Sequence, residues 1–247
     1  MKAVGVIPAR YGSTRFPGKP LADLSGKPLI QHVWEGARQS QRLSVVFVAT
    51  DDERIAEAVR SFGGEPVMTR KEHPSGTDRV AEAVAHMDVD VVINIQGDEP
   101  LIEGRMIDQL VSAFDADSAL NMATLAVRVR LNQDRNDPQT AKIVVDREGY
   151  ALYFSRWPVP FRRAGLSLAA WAGHLQHIGI YGFRKDFLLR FTSLPATALE
   201  QAEGLEQLRA LEHGYRIKVI ETDYRPFSVD TPDDLERVRS LFRRRSL

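Results

Sequence analysis

Predominantly apolar runs alternate with segments of helical spacing through the first part of this chain. The runs cover residues 4–7, 45–49, 66–68 and 89–95. Strands without polar alternation are buried on both faces, and strands that alternate with helices form parallel sheets through right-handed crossovers. The pattern therefore predicts an α/β fold with a doubly wound, mostly parallel sheet.

The second part of the chain has a different pattern, with strands predicted at 122–129, 176–183 and 215–220 and a hairpin over 142–154. We interpret it as a smaller lobe of mixed sheet. The apolar spacing also predicts one amphipathic helix over 199–211, and Thr50 with Glu53 predicts a capping box at the start of the second helix. At 247 residues the chain fits a single large domain. Its expected parts are 1–120, which binds nucleotide, 121–225, the smaller lobe, and 226–247, which returns to the first part.

Composition narrows the classes of function. Lys+Arg and Asp+Glu both number 33, so no net field attracts nucleic acid or a membrane surface. There are no cysteines, which excludes disulfides and thiolate chemistry. Neither a signal-peptide pattern nor a membrane-length apolar run occurs in the sequence. We expect a cytoplasmic protein with no nucleic-acid partner and no membrane insertion.

The loop after the first strand, residues 10–19, combines glycines, hydroxyls and cations: Arg10, Gly12, Ser13, Thr14, Arg15, Gly18 and Lys19. Backbone amides next to glycines can form a concave anion site, and arginine and lysine neutralise further charge. The spacing fits neither a Walker A loop, because Pro20 follows Lys19, nor the dinucleotide-binding glycine pattern. We predict a site for a nucleotide triphosphate.

Two aspartates follow predicted strands and are candidate Mg²⁺ ligands. Asp98 lies in a tight Gly-Asp-Glu-Pro turn after the fourth run, at the strand edge where open α/β sheets bind ligands. Asp230 precedes the last helix, and its position alone fits a helix cap as well as it fits a ligand. Ser75 and Gly76 begin a helix whose amides could hold an anion or a base edge, or Ser75 could simply cap it.

These and other segments, taken together, resemble the 3-deoxy-manno-octulosonate (KDO) cytidylyltransferases, or CMP-KDO synthetases, over nearly the whole chain. The segments are Ile7–Pro20, Ser75–Arg79, Gln96–Pro100, Tyr153–Arg156, His177–Gly182, Leu205–Arg209 and Val229–Pro232. The basic loop alone also occurs in other sugar nucleotidyltransferases, whereas the combination with His177–Gly182 and Leu205–Arg209 is far more specific.

The resemblance implies a homodimeric enzyme that couples CTP to KDO for lipopolysaccharide biosynthesis, with Mg²⁺ as cofactor. It implies that the triphosphate is held by Arg10, Ser13, Arg15 and Lys19, and that the cytidine side is lined by Ala9, Ser75, Gly76 and Arg79. It assigns Mg²⁺ to Asp98 and Asp230, which with Lys19 are the expected catalytic residues. The sugar-acid pocket would be lined by Gln96, Arg156, His177, Tyr181, Glu206 and Gln207.

The chain departs from the family pattern at 137–141 and at Trp157, both near the expected sugar and dimer regions. The same chemistry on the 8-amino sugar or on sialic acid stays open, as does a nucleotide-sensing module without turnover. Two carboxylates at one site argue against the sensor, because a sensor needs no second metal ligand. A nucleic-acid binder would carry an excess of basic residues, which this chain lacks.

Overall fold

The computed structural model describes residues 1–12, 15–129, 136–161, 163, 173–225 and 227–245. The strands are β1 (Ala3–Ala9), β2 (Asp23–Leu24), β3 (Lys27–Pro28), β4 (Leu43–Thr50), β5 (Glu65–Met68), β6 (Val91–Asn94), β7 (Met122–Val129), β8 (Lys142–Val145), β9 (Ala151–Ser155), β10 (His174–Arg184) and β11 (Ile217–Thr222). The α-helices are α1 (Leu29–Ala37), α2 (Glu53–Ser61), α3 (Gly76–Val84), α4 (Gly104–Ala116), α5 (Lys185–Ser193), α6 (Ala198–Glu203), α7 (Leu208–Glu212) and α8 (Pro232–Arg245).

One sheet of nine strands runs through the molecule in the order β11-β7-β10-β6-β1-β4-β5, with β8 and β9 attached to β10. The pairs of β1 with β4 and β6, of β4 with β5 and of β7 with β11 are parallel. β10 is antiparallel to β6, β7 and β8, and β8 is antiparallel to β9. The predicted fold class is confirmed, and the strands of the predicted smaller lobe extend the same sheet.

Helices cover both faces, because successive side chains of a strand point to opposite sides. On β1, Ile7 belongs to a core with side chains of α1, α2 and α4, whereas Val6 belongs to a second core with side chains of α3, α5 and α7. Both residues are fully buried. The two cores explain why the strands of the first part read as continuous apolar runs.

Two local predictions are wrong. The capping box of Thr50 and Glu53 does not form, because the N-cap of α2 is Asp52, whose carboxylate accepts from the backbone N–H of Arg54 at 3.0 Å. The single helix predicted over 199–211 is two helices, α6 and α7. The break follows from Gly204, which ends α6 in the left-handed conformation with φ of 60°.

A small third core returns the end of the chain to its beginning. Val229 and two residues of α8, Leu235 and Val238, pack against Leu24 and Leu29. The backbone N–H of Val229 also donates to the carbonyl of Asp98 at 2.9 Å. This packing places residue 230 beside the loop after β6. Among the described residues, no helix is both long and apolar enough to cross a membrane.

Candidate active site

An open cleft of about 270 Å³ lies beyond the carboxyl ends of β1 and β6. Loops that leave the central strands of a parallel sheet meet at this edge, which is where such folds bind ligands. The cleft is lined by Pro8, Ala9, Arg10, Arg15, Lys19, Pro20, His73, Pro74, Ser75, Gly76, Arg79, Gln96, Gly97, Asp98 and Asp230. The fold therefore joins the predicted anion loop, cytidine side and both aspartates in one site.

The loop after β1 folds back on itself. The backbone N–H of Gly18 donates to the carbonyl of Tyr11 at 2.9 Å, and Gly18 has a φ of 71°, a conformation that favours glycine. A short 3-10 turn, Lys19–Leu21, follows. Arg54 of α2 stacks on the Tyr11 ring, with its guanidinium carbon 3.4 Å from the ring centroid. These contacts hold the loop so that Lys19 enters the cleft.

Both candidate metal ligands converge on that lysine. Nζ of Lys19 lies 2.7 Å from Oδ2 of Asp98 and 3.6 Å from Oδ1 of Asp230. Arg15 also contacts Oδ1 of Asp230, at 3.1 Å. Two carboxylates that already share one cation form an all-oxygen donor set suited to Mg²⁺, which takes one or two carboxylates plus substrate phosphates. No cluster of three or more metal-ligating side chains occurs in the described ranges.

The carboxylate of Asp230 is free to face the cleft because Thr231 caps the last helix. The Thr231 hydroxyl accepts from the backbone N–H of Asp234 at 3.2 Å and donates to the Asp234 carboxylate at 2.8 Å. The backbone N–H of Asp230 donates to the same carboxylate. Thr231, and not the side chain of Asp230, therefore caps the last helix.

The predicted cytidine side is a rigid wall of the cleft. The Ser75 hydroxyl caps α3 by accepting from the backbone N–H of Asp78 at 3.2 Å, and Ser75 lines the cleft at the same time. Arg79 is only 4% exposed. Its guanidinium donates to the Thr69 hydroxyl at 2.6 Å and lies 3.0 Å from Oδ1 of Asp51. This wall presents a neutralised arginine, which suits an uncharged base better than a free cation would.

His177 and Tyr181 meet because β10 is irregular. Four residues of a regular strand span about 13 Å, yet the ring centroids lie 5.2 Å apart. Pairing with β7 shifts between Ile178 and Tyr181, which leaves the two residues between them unpaired with that strand. A Cβ on one of them, Gly179, would lie 3.4 Å from Cγ of Gln96, so this bulge also touches the cleft. The side chains of His177 and Tyr181 thus contact each other on one face of β10.

The remaining sugar-side residues lie next to α3. The Thr77 hydroxyl donates to Oε2 of Glu206 at 2.5 Å, and the Asn94 amide donates to that hydroxyl at 3.2 Å. Burial raises the pKa of Glu206, and hydrogen bonds from Thr77 and Ser75 oppose this shift. The buried Oε1 of Glu206 and Nε2 of Gln207 have no partner among the described residues. Burying a polar atom without a hydrogen bond costs free energy, unless a ligand or a water molecule supplies the missing partner.

Burial also perturbs two groups beside these residues. It lowers the pKa of His177 to about 3, so the ring is neutral near pH 7. Burial, followed by the neighbouring Glu206 carboxylate, raises the pKa of Tyr181 well above its usual value. Both side chains are therefore uncharged hydrogen-bonding groups, a property that suits sugar hydroxyls.

Arg156 takes part in a polar cluster that ties three loops together. Its guanidinium donates to the carbonyls of Glu203 at 2.7 Å, Pro138 at 2.9 Å and Gly204 at 3.3 Å. The fully buried ammonium of Lys142 donates to the carbonyl of Arg156 at 2.8 Å. In this conformation Arg156 connects the end of β9 to the turn that precedes Glu206 and Gln207, and it does not line the cleft.

Some cleft residues were not singled out from the sequence. His73 lines the cleft with Pro74, and its Nε2 pairs with the Glu82 carboxylate of α3. The signal available was their position directly before Ser75. Glu99 is buried beside Asp98, and burial together with the Asp98 charge raises its pKa to about 8. Ser13 lies outside the described residues.

Comparison with known proteins places this cleft in context. A family model described as Cytidylyltransferase matches residues 4–218. The 3-deoxy-manno-octulosonate cytidylyltransferase of Geotalea uraniireducens (strain Rf4) is 53% identical over 245 residues, covering 96% of this chain and 98% of that protein. The enzyme of the same name from Geobacter sulfurreducens (strain ATCC 51573 / DSM 12127 / PCA) is 51% identical, with the same coverage.

Solved structures agree. CMP:2-keto-3-deoxy-manno-octonic acid synthetase complexed with CTP has a TM-score of 0.93 at 46% identity, covering 99% of this chain and 100% of that chain. The 4-diphosphocytidyl-2C-methyl-D-erythritol synthase of Anaerococcus prevotii DSM 20548 has a TM-score of 0.62 at 10% identity, covering 98% and 99% of the two chains, and is alike in fold alone.

Proposed function

The chain belongs to the family of 3-deoxy-manno-octulosonate cytidylyltransferases, and we propose that its cleft transfers the cytidylyl group of CTP to KDO in a Mg²⁺-dependent reaction. The observation that carries the proposal is the convergence of Asp98 and Asp230 on Lys19, between a basic loop and the wall formed by Ser75 and Arg79.

The reaction joins the anomeric oxygen of the sugar acid to the α-phosphorus of CTP. The bond from that phosphorus to the bridging oxygen of pyrophosphate breaks, and the anomeric proton is released. No protein nucleophile is needed, because positioning and charge neutralisation supply most of the catalysis in such transfers. The charged side chains that line the cleft support both requirements.

The roles of the nucleotide-side residues follow from their charge. Arg10, Arg15 and Lys19 neutralise the triphosphate, as would Ser13 through its hydroxyl. Asp98 and Asp230 would hold Mg²⁺, which when bound neutralises charge on the phosphate oxygens and strengthens pyrophosphate as a leaving group. Ala9, Ser75, Gly76 and Arg79 border the cytidine.

The sugar-side roles follow from burial and unsatisfied polar atoms. Hydroxyls of the sugar acid would be bound by Gln96, which lines the cleft, and by the neutral rings of His177 and Tyr181. Glu206 and Gln207 would bind further hydroxyls, since each has a buried polar atom with no partner among the described residues. Arg156 would bind the sugar carboxylate through its fork. That role requires the guanidinium to exchange at least one of its present carbonyl partners.

The wider setting belongs to the same proposal. We propose that the chain acts as one catalytic domain, in which 1–120 bind nucleotide, 121–225 bind sugar and a second subunit, and 226–247 return Asp230 to the nucleotide side. The product would serve lipopolysaccharide biosynthesis in the cytoplasm.

A homodimer is supported by exposed apolar side chains on β9 and after it. Leu152, Trp157 and Phe161 are 62%, 78% and 88% exposed. Exposed large apolar groups on an edge strand and in the segment after it are typical of an interface. Sedimentation of the protein should give a dimer mass, and Trp157→Glu should shift it toward the monomer. A monomer at micromolar concentration would contradict this part of the proposal.

Pyrophosphate release with CTP, Mg²⁺ and KDO tests the activity. The wild-type protein and the exposed-carboxylate control Asp115→Ala should release pyrophosphate at similar rates, whereas Asp98→Ala should lose release. Parallel reactions with the 8-amino sugar and with sialic acid test the acceptor. Pyrophosphate release with the 8-amino sugar or with sialic acid, and none with KDO, would show that the acceptor is not KDO. CTP binding without release from any acceptor would favour a nucleotide sensor.

A further inference from the structure

A buried threonine of β7 lies behind the bulge that carries His177. Thr124 is fully buried, and its hydroxyl Oγ1 lies 2.8 Å from the carbonyl of Ile180 and 3.2 Å from that of Ile178. Both carbonyls belong to the irregular part of β10. Bulges next to active sites re-aim side chains, and they persist when their unpaired backbone groups find other partners. Thr124 supplies the donor for this bulge.

The same hydroxyl contacts the imidazole of His177, at 3.0 Å from Nε2. A threonine hydroxyl has one hydrogen and can accept through its oxygen. Because the hydrogen is directed to a carbonyl of the bulge, the oxygen is an acceptor toward the ring. Nε2 of His177 must then carry the proton, which leaves Nδ1 as an acceptor.

The surroundings of the ring favour one orientation. The His177 ring packs edge-on against Phe154, with centroids 5.3 Å apart. It also contacts the ring of Tyr181, with centroids 5.2 Å apart. Thr124 is paired with Tyr181 across the two strands. Thr124 therefore contacts His177 through its hydroxyl and is the strand partner of Tyr181.

We propose that Thr124 is a positioning residue, which closes the β10 bulge and holds His177 as the Nε2–H tautomer so that Nδ1 accepts from a hydroxyl of the sugar acid. The tautomer depends on the structure alone, whereas the sugar contact rests on the proposed function. Thr124 itself touches no substrate in this arrangement.

Nitrogen-15 NMR of histidine-labelled, full-length protein tests the tautomer without any substrate. A His177→Gln sample identifies the His177 signals. The wild-type protein should show protonated Nε2 and unprotonated Nδ1. Thr124→Ser, which keeps the hydroxyl, should retain this pattern, and Thr124→Val should lose it. Thr222→Val, at a buried threonine of β11, is the matched control and should leave the His177 signals unchanged.

Kinetics test the consequence for the reaction. Thr124→Val should raise KM for the sugar acid about tenfold, as expected for a lost hydrogen bond at a buried polar site, with KM for CTP changed less than about twofold. Thr124→Ser and Thr222→Val should resemble the wild type. Equal increases in both KM values would overturn a specific role on the sugar side.

The arms separate the possible failures. A wild-type spectrum with protonated Nδ1 overturns the proposal without any variant. The proposal can therefore be refuted even if the Thr124→Val protein does not fold. An unchanged tautomer in folded Thr124→Val overturns the positioning role. Absence of activity with every acceptor in the wild-type protein would refute the proposed function, and the spectra would still decide what Thr124 does.

Discussion

Nζ of Lys19 lies 2.7 Å from Oδ2 of Asp98, and the same nitrogen lies 3.6 Å from Asp230. The lysine comes from the loop after β1, and the aspartates come from the loop after β6 and the segment before α8. Its ammonium thus links the two carboxylates, and Arg15 adds a second positive charge at Asp230.

Lys19→Met should lower kcat/KM for CTP by about 10²-fold or more, because one charge-stabilising donor in an active site contributes on that scale. The two carboxylates would also repel the triphosphate once the ammonium is lost. Pyrophosphate release at several CTP concentrations measures the effect. Lys27→Met, at an exposed lysine paired with Glu35, is the control and should retain wild-type kinetics. A Lys19 variant with wild-type kcat/KM would contradict this role.

Asp51→Ala should destabilise the fold by about 3 kcal/mol, because removal of one partner leaves a buried charge uncompensated. Arg79 is 4% exposed, and its Nη2 lies 3.0 Å from the Asp51 carboxylate. Urea unfolding measures the loss, and the double variant with Arg79→Met should recover part of it. Additive losses in the double variant would show that the two side chains do not interact. CTP binding should weaken in both single variants.

Lys142→Met should lower the free energy of unfolding by about 2–4 kcal/mol. The three N–H groups of the ammonium donate to the carbonyls of Asp137, Thr140 and Arg156 at 2.5, 2.7 and 2.8 Å, and methionine would remove one donor from each of these oxygens. Burial lowers the pKa of Lys142, which limits but does not remove this contribution. Lys185→Met is the comparison, since that ammonium contacts a single carbonyl, of Met87, and should cost less than about 1 kcal/mol. Equal losses in the two variants would refute the argument.

Stability should fall on acidification through His177. Its pKa is about 3 in the folded protein and 6.5 ordinarily, so between these values the unfolded chain binds a proton that the folded one does not. The stabilisation is complete above pH 6.5 and is lost as the pH falls toward 3, at up to about 1.4 kcal/mol per pH unit. Urea unfolding at pH 7, 6 and 5 should show a shallower decline for His177→Gln than for the wild type. Identical slopes would mean that burial does not lower the pKa of His177.

The order of strands along the first part of the chain could be predicted because each strand is mostly apolar and lacks polar alternation. Both faces of such a strand are buried, and the residues themselves record this. The position of Asp98 after β6 followed from the same reasoning. The break at Gly204 could not be predicted with the same ease, since the apolar spacing of α6 and α7 continues across it and only a left-handed backbone interrupts the helix.

Contacts between residues that are distant in sequence could be identified only from the folded chain. From its position in the sequence, Asp230 fits a helix cap as well as it fits a metal ligand. In the structure Thr231 caps the helix, and the Asp230 carboxylate faces Lys19. The bulge of β10 has no signature in sequence spacing, because it depends on pairing with β7 and on the hydroxyl of Thr124. Burial of Glu206 against Thr77 depends likewise on helix packing.

The sequence by itself determined the α/β class, the basic loop after the first strand, the edge of the sheet that carries the cleft, and the family to which the chain belongs. These depend on local pattern and on motifs in order. The tertiary structure decided which carboxylates share a cation, how His177 and Tyr181 approach each other, and which buried polar atoms lack a partner within the described part of the chain. Those properties arise from long-range packing, in which the distance between two side chains is independent of their separation along the chain.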